Sequence, residues 1–124
     1  MTKIAFMFPG QGSYEAGMGR EVAEAAPEAM AVYESGSEAS GLDLREICFH
    51  GPVENLLDTK VQQPALVATS LAINEAIRAR GIEPDFVVGH SVGEFAALGA
   101  AQSLDPAQAI GLVAQRGIAM AEAA

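Results

Sequence analysis

The stretch that decides the fold is Asp85-Phe-Val-Val-Gly-His-Ser-Val-Gly-Glu-Phe-Ala-Ala-Leu98. Its first residues, Asp85–Gly89, form a short apolar run that predicts a buried β-strand, and its last residues begin an apolar helix. Gly89–Gly93, between them, fits the G-x-S-x-G pattern of a nucleophile elbow, a sharp turn that holds a serine in a strained backbone conformation. The glycines on either side let strand and helix pack closely. The sequence therefore predicts a reactive serine, Ser91, at a strand–turn–helix junction.

The hydroxyl of such a serine projects at the N-terminus of the following helix. Backbone N–H groups and the helix dipole favour a developing oxyanion there, and the N–H of Val92 is the natural first donor. Ser91-x-x-Glu94 also fits a capping box, in which the serine only caps the helix. A cap alone needs neither the two glycines nor the preceding strand, so the pattern favours the nucleophile. The side chain of neighbouring His90 is expected to point elsewhere, and His50 is predicted to lie in a loop without a partner.

Strands that alternate with helices predict an α/β fold with a parallel sheet and flanking helices. Lys3–Phe8 is an apolar run stopped by Pro9-Gly10, which suits a strand buried on both faces. Two parallel strands do not make a stable sheet, so this fold is expected to be incomplete. Two helices are predicted over about 18–26 and 27–35, followed by a loop at 35–41 and short helical turns over 42–57. A long helix is predicted to have Pro64 in its first turn and to end at Arg80. Two more helices are predicted, one after Val92 and one that Asp105 caps.

Charge and composition exclude several functions. The 124 residues carry seven Lys and Arg against sixteen Asp and Glu, a net charge of −9. Such a balance disfavours nucleic acid and anionic membrane surfaces, since both are bound through basic residues. The single Cys48 allows neither an internal disulfide nor, with two histidines, a structural zinc site. The N-terminal apolar run is too short for a signal peptide, so a cytoplasmic location is the expectation.

Two charged residues stand alone in apolar segments. Glu94 is the only one from Phe86 to Leu104, and Arg116 is the only one from Pro106 to Ala121. Because desolvating an unpaired charge is costly, Arg116 needs an anion, which is either Glu94 or an acidic ligand. A guanidinium grips a carboxylate with two hydrogen bonds, which favours a carboxylated substrate. A structural ion pair or a surface arginine with a buried stem remains the alternative.

The glycine-rich turn Pro9-Gly-Gln-Gly-Ser13 follows the first predicted strand. It lies at the carboxyl end of the strand, where α/β proteins place ligands. Its glycines let the backbone approach a bound group, and Gln11 adds an N–H donor. The turn lacks the third glycine of a dinucleotide fingerprint.

Four motifs occur together in order: Phe8–Ser13, Gln63-Pro-Ala-Leu66, Gly89–Glu94 and Gln115-Arg-Gly117. With them the chain closely resembles the malonyl-coenzyme A:acyl carrier protein transacylases and the acyltransferase domains of polyketide synthases. The resemblance implies that malonyl-CoA acylates the serine and that the phosphopantetheine thiol of acyl carrier protein then takes the malonyl group, with no metal or cofactor. It implies these roles: Ser91 as nucleophile, Gln11 and Val92 as oxyanion hole, Arg116 as carboxylate clamp and Gln63 as a residue lining the site.

Members of this family are about twice as long or more, beyond the usual single-domain size. The resemblance places their general-base histidine and a ferredoxin-like small subdomain outside these 124 residues. We therefore expect residues 1–124 to be the N-terminal part of the large, hydrolase-like subdomain, inactive alone because a serine needs a base. Two other functions stay open: a serine esterase-type hydrolase, which leaves Arg116, Gln11 and Gln63 without a task, and a non-catalytic homologue that binds a partner as a scaffold.

Overall fold

Helices and two short strands make up residues 2–124, which are the residues that the computed structural model describes. In chain order the elements are β1 (Ala5–Phe8), α1 (Arg20–Ala25), α2 (Pro27–Ser40), α3 (Leu44–His50), a 3-10 turn (Val53–Leu56), α4 (Thr59–Ala79), β2 (Phe86–Gly89), α5 (Gly93–Ala100) and α6 (Pro106–Ala123).

The two strands pair in parallel. Ala5 lies opposite Phe86 and Phe8 lies opposite Gly89, and the N–H of His90 donates to the carbonyl of Phe8 at 3.1 Å just beyond the paired residues. The helices between β1 and β2 in the chain make the crossover that a parallel pair requires. This confirms the predicted α/β fold, and it sets the turns that follow β1 and β2 side by side at one edge of the sheet.

The expectations that the first strand is buried on both faces and that the strand before Ser91 is buried are both wrong for residues 2–124. Phe6 and Val87, on one face, pack against the core. On the other face Met7 is 76% exposed, Phe86 60% and Val88 53%. The apolar run did predict a strand, but burial on both faces needs a second covering layer, and none of the elements in the described part of the chain packs on that face.

The prediction of a loop at 35–41 is also wrong. α2 continues to Ser40, and its C-cap is Gly41, which has a φ of 76°. Ser and Gly are poor helix formers, and this is why the segment resembles a linker. α2 packs on α4 and α6 and buries Val32, Tyr33 and Gly36 along one face. Burial of that face therefore outweighs the weak local propensity.

α4 begins one turn earlier than predicted. Asp58 caps it by accepting a hydrogen bond from the N–H of Lys60 at 3.0 Å, which places Pro64 inside the helix and not in its first turn. Two other predicted boundaries are confirmed: Gly81 follows α4 with a φ of 86°, and Asp105 forms a capping box with Gln108 at the start of α6. β1 begins at Ala5 and α1 at Arg20, each two residues later than predicted.

α4 is the central element of the core. It packs against α2, α5 and α6, and most of its residues from Gln62 to Ala72 are buried. Within residues 2–124, no helix has the length and apolarity needed to cross a membrane. The first turns of α4 reach the carboxyl ends of the two strands, where the loops after β1 and β2 meet.

Candidate active site

Ser91 lies at the turn between β2 and α5. Its φ is 55°, in the left-handed region, and apart from glycines only Gln102 shares a positive φ among the described residues. The residue is exposed. Val92 is the N-cap of α5, and no side chain makes a capping hydrogen bond there, so the capping box considered for Ser91 and Glu94 does not form. A serine held in this conformation without capping its helix fits a nucleophile elbow.

The turn depends on very close backbone contacts. A Cβ on Gly93 would overlap the carbonyl oxygen of Phe8 and would lie 2.7 Å from that of Pro9. A Cβ on Gly89 would in turn overlap the backbone carbonyl group of Gly93. The motif glycines therefore let α5 begin directly against the end of β1, as the sequence predicts.

The surroundings of Ser91 contain a free backbone donor. The N–H groups of Gly93, Glu94 and Phe95 bond to the carbonyls of His90, Ser91 and Val92 at 2.9, 3.0 and 3.1 Å. The N–H of Val92 has no acceptor anywhere in residues 2–124. An N–H next to the serine and without a partner is the arrangement that an oxyanion hole needs.

The two histidines of the sequence do not bond to this serine. The ring of His90 lies beside the β1 turn, where its Nδ1 would be 2.6 Å from a Cβ built on Gly10. The prediction that His50 lies in a loop is wrong, because it is the exposed last residue of α3. In the part of the chain that the structure describes, the Ser91 hydroxyl thus has no histidine as a hydrogen-bond partner.

A chain of side-chain hydrogen bonds joins three of the residues named from the sequence. Arg116 Nη1 donates to Gln63 Oε1 at 2.7 Å. Gln63 Nε2 donates to Thr59 Oγ1 at 3.1 Å, and Gln11 Nε2 donates to the same oxygen at 2.8 Å. The structure therefore brings together Gln11, Gln63 and Arg116, from the β1 turn, α4 and α6, through a threonine that the sequence analysis missed.

Arg116 does not form the ion pair with Glu94 that was considered. Its guanidinium lies over the ring of Phe95, 5.4 Å from the centroid, and Phe95 is in the first turn of α5. Across residues 2–124, no carboxylate lies within ion-pair distance of Arg116, and its hydrogen-bond partner Gln63 is neutral. The half-buried guanidinium therefore keeps an uncompensated positive charge close to the helix that follows Ser91.

Gln62 is a second residue that the sequence analysis missed. It is 5% exposed; its Oε1 accepts from the N–H of Gly12 at 2.7 Å, and its Nε2 donates to the carbonyl of Leu56 at 2.9 Å. This buried amide fixes the glycine-rich turn against α4.

For Thr59, the other missed residue, the sequence does offer a signal. Thr59 lies four residues before Gln63, which places both on one face of α4.

Cys48 does not offer a second nucleophile. Cys48 is buried, and burial raises the pKa of its thiol to about 12, so it stays protonated and unreactive. Nowhere in the described chain do three His, Cys, Asp or Glu side chains gather in a way that could hold a metal ion. Ser91 is thus the nucleophile candidate that the geometry favours.

Comparison with known proteins identifies the family to which these residues belong. The acyl transferase domain family matches residues 5–124. The malonyl CoA-acyl carrier protein transacylase of Bacillus subtilis is 45% identical over 123 residues, covering 99% of this chain and 39% of the relative.

Solved structures of malonyl-transferring enzymes superpose closely on this chain. The acyl-carrier-protein S-malonyltransferase of Bartonella henselae superposes with a TM-score of 0.93 at 38% identity, covering 99% of this chain and 40% of that one. A malonyl-transacylase in complex with its type II polyketide synthase acyl-carrier protein gives a TM-score of 0.92 at 40% identity, over 99% and 40% of the two chains. The chain spans about 40% of the length of these relatives. It belongs to the acyl transferase domain family.

Proposed function

We propose that this chain carries the acyl-serine site of a transferase that moves a malonyl group from coenzyme A to acyl carrier protein. The observation that carries the proposal is Ser91, exposed in a left-handed conformation between β2 and α5. The uncompensated guanidinium of Arg116 against Phe95 supports a substrate with a free carboxylate. The relatives' names support malonyl as the group and acyl carrier protein as the acceptor.

In the first half-reaction, the Ser91 oxygen bonds to the thioester carbonyl carbon while a base takes the hydroxyl proton. The carbon–sulfur bond then breaks, and coenzyme A leaves as a thiolate that takes a proton. The N–H of Val92 donates to the oxyanion formed between these steps. Gln11 Nε2 uses one hydrogen on Thr59, so its second hydrogen is left for the same oxyanion.

In the second half-reaction, the phosphopantetheine thiol attacks the malonyl-serine ester. The ester bond breaks, Ser91 regains its proton and the carrier protein leaves as a malonyl thioester. In this scheme coenzyme A is part of the substrate. A hydrolase with the same elbow would release malonate in water alone, whereas a transferase keeps the acyl-serine until a thiol arrives.

Arg116→Ala is expected to lower malonylation of Ser91 about 10- to 100-fold and to leave acetylation nearly unchanged, because a hydrogen bond to a charged group contributes about 1.5–3 kcal/mol. Intact-mass measurement of the full-length gene product with malonyl-CoA or acetyl-CoA reads out both reactions. Arg116→Lys keeps the charge without the planar fork and should fall between. Arg45→Ala, an exposed arginine on α3, is the matched control. Equal losses with both acyl groups would contradict the clamp.

We also propose that residues 1–124 are the N-terminal part of a large α/β subdomain and that the base for Ser91 lies outside residues 2–124. The isolated 124-residue chain is then expected to malonylate Ser91 about 100- to 10,000-fold more slowly than the full-length gene product, the usual contribution of a general base. Circular dichroism confirms that the short chain is folded before the rates are compared. Equal rates would show that the base lies within these residues.

A further inference from the structure

We propose that Thr59 is a further substrate-binding residue, whose hydroxyl donates a hydrogen bond to the free carboxylate of the bound acyl group. This inference rests on the function proposed above. Thr59 is the first residue of α4 and is half-buried between the β1 turn and α6.

The hydrogen-bond inventory of Thr59 leaves its proton without an acceptor. A hydroxyl oxygen has two lone pairs and one hydrogen, and an amide nitrogen can only donate. Gln11 Nε2 and Gln63 Nε2 both donate to Thr59 Oγ1, at 2.8 and 3.1 Å, so both lone pairs are used. None of the residues from 2 to 124 accepts a hydrogen bond from this hydroxyl. With the Gln11 amide oriented so that its Nε2 faces Thr59, the hydrogen of the Thr59 hydroxyl is left for a ligand.

Gln63 cannot turn its amide to satisfy Thr59 differently. Its Oε1 accepts from Arg116, which has only donors, and this fixes Nε2 toward Thr59. Nε2 also lies 3.2 Å from the sulfur of Met120. Arg116 thereby sets the orientation of the amide, and the amide in turn sets the direction of the Thr59 hydrogen.

Thr59 and Arg116 both bond to the side-chain amide of Gln63, so the hydroxyl and the guanidinium lie on the two sides of one amide group. A Cβ on Gly117, the residue after Arg116, would lie 3.0 Å from the carbonyl oxygen of Thr59 and 3.1 Å from Cα of Lys60. α6 therefore reaches the first turn of α4 at this point. A carboxylate has about four lone-pair sites, and it forms stronger hydrogen bonds than a neutral carbonyl does. A carboxylate gripped by Arg116 is thus the acceptor that best suits the free hydrogen of Thr59.

The test compares malonyl with acetyl loading of Ser91 in the full-length gene product. Thr59→Val keeps the shape of the side chain and removes the hydroxyl, and the ratio of malonyl to acetyl loading rates is expected to fall about 10-fold. Any loss that arises because Gln11 also loses its partner affects both acyl groups and cancels in the ratio. Thr59→Ser restores the ratio, and Thr2→Val, at an exposed position, leaves it unchanged.

An effect that reaches Arg116 through Gln63 does not cancel, so Thr59→Val is also introduced beside Gln63→Leu, where that route is absent. A direct bond to the carboxylate lowers the ratio in this background too, and an unchanged ratio there would overturn the role of Thr59.

The outcomes separate this inference from the proposed function. If the unaltered protein never forms malonyl-Ser91, both fall. If it does, and Thr59→Val keeps the ratio, only the role of Thr59 is overturned, since the hydroxyl then serves Gln11 or Gln63 alone. Thr59→Ala, which also lacks the hydroxyl and favours helix, gives the same comparison if the valine variant does not fold, as judged by circular dichroism.

Discussion

Replacing Ser91 with glycine is expected to abolish acyl loading and yet give a more stable protein than replacing it with alanine. Both variants lack the nucleophile, so loading should fall about 10,000-fold or more in each. They differ in backbone strain, because Ser91 has a φ of 55°. A side chain in the left-handed region costs about 1–2 kcal/mol, and glycine avoids this cost while losing about 0.5–1 kcal/mol of chain entropy. The net difference in unfolding free energy is about 0.5–1 kcal/mol in favour of glycine.

Urea unfolding of the two variants measures this difference at a single site. Ser103 gives the matched control, because its φ is not positive and the residue is exposed in the loop after α5. There the glycine variant should be less stable than the alanine variant. If Ser91→Ala were as stable as Ser91→Gly, the left-handed conformation would be wrong, and with it the strained elbow.

The parts of this fold that were predicted from sequence depend on neighbours in the chain. Asp105, Pro106 and Gln108 start α6 through a local capping box, and the strand before Ser91 is recognisable from four apolar or small residues. Such interactions involve residues a few positions apart, so they form in the folded protein as the local sequence predicts. The elbow could therefore be placed to the residue.

The parts that were missed depend on contacts that are distant in sequence. α2 continues through Ser40 because α4 and α6 bury one of its faces. Arg116 is bonded to Gln63, 53 positions away, and not to Glu94. A lone charge in an apolar helix showed that a partner was needed, but its identity required the packing of α6 on α4. For the same reason Thr59 was invisible until the two glutamines converged on it.

Gly93→Ala is expected to destabilise the protein by about 3 kcal/mol, at the upper end of overpacking costs. The new methyl group would overlap the carbonyl oxygen of Phe8 and lie 2.9 Å from its carbonyl carbon. These are backbone atoms of the paired strand, so they cannot rotate away as a side chain would. α5 must therefore move away from β1, which also displaces the N–H of Val92 from the serine.

The matched control is the same change at Gly111, within α6. A methyl group there would meet only Ala39, with its Cβ and carbonyl oxygen both 3.6 Å away, which is ordinary contact. Gly111→Ala should therefore stabilise the protein by about 0.5–1 kcal/mol, as alanine does for glycine in a helix. Thermal unfolding should move in opposite directions for the two variants. A Gly93→Ala protein as stable as the original would mean that α5 does not lie against β1, and the turn that presents Ser91 would lose its structural basis.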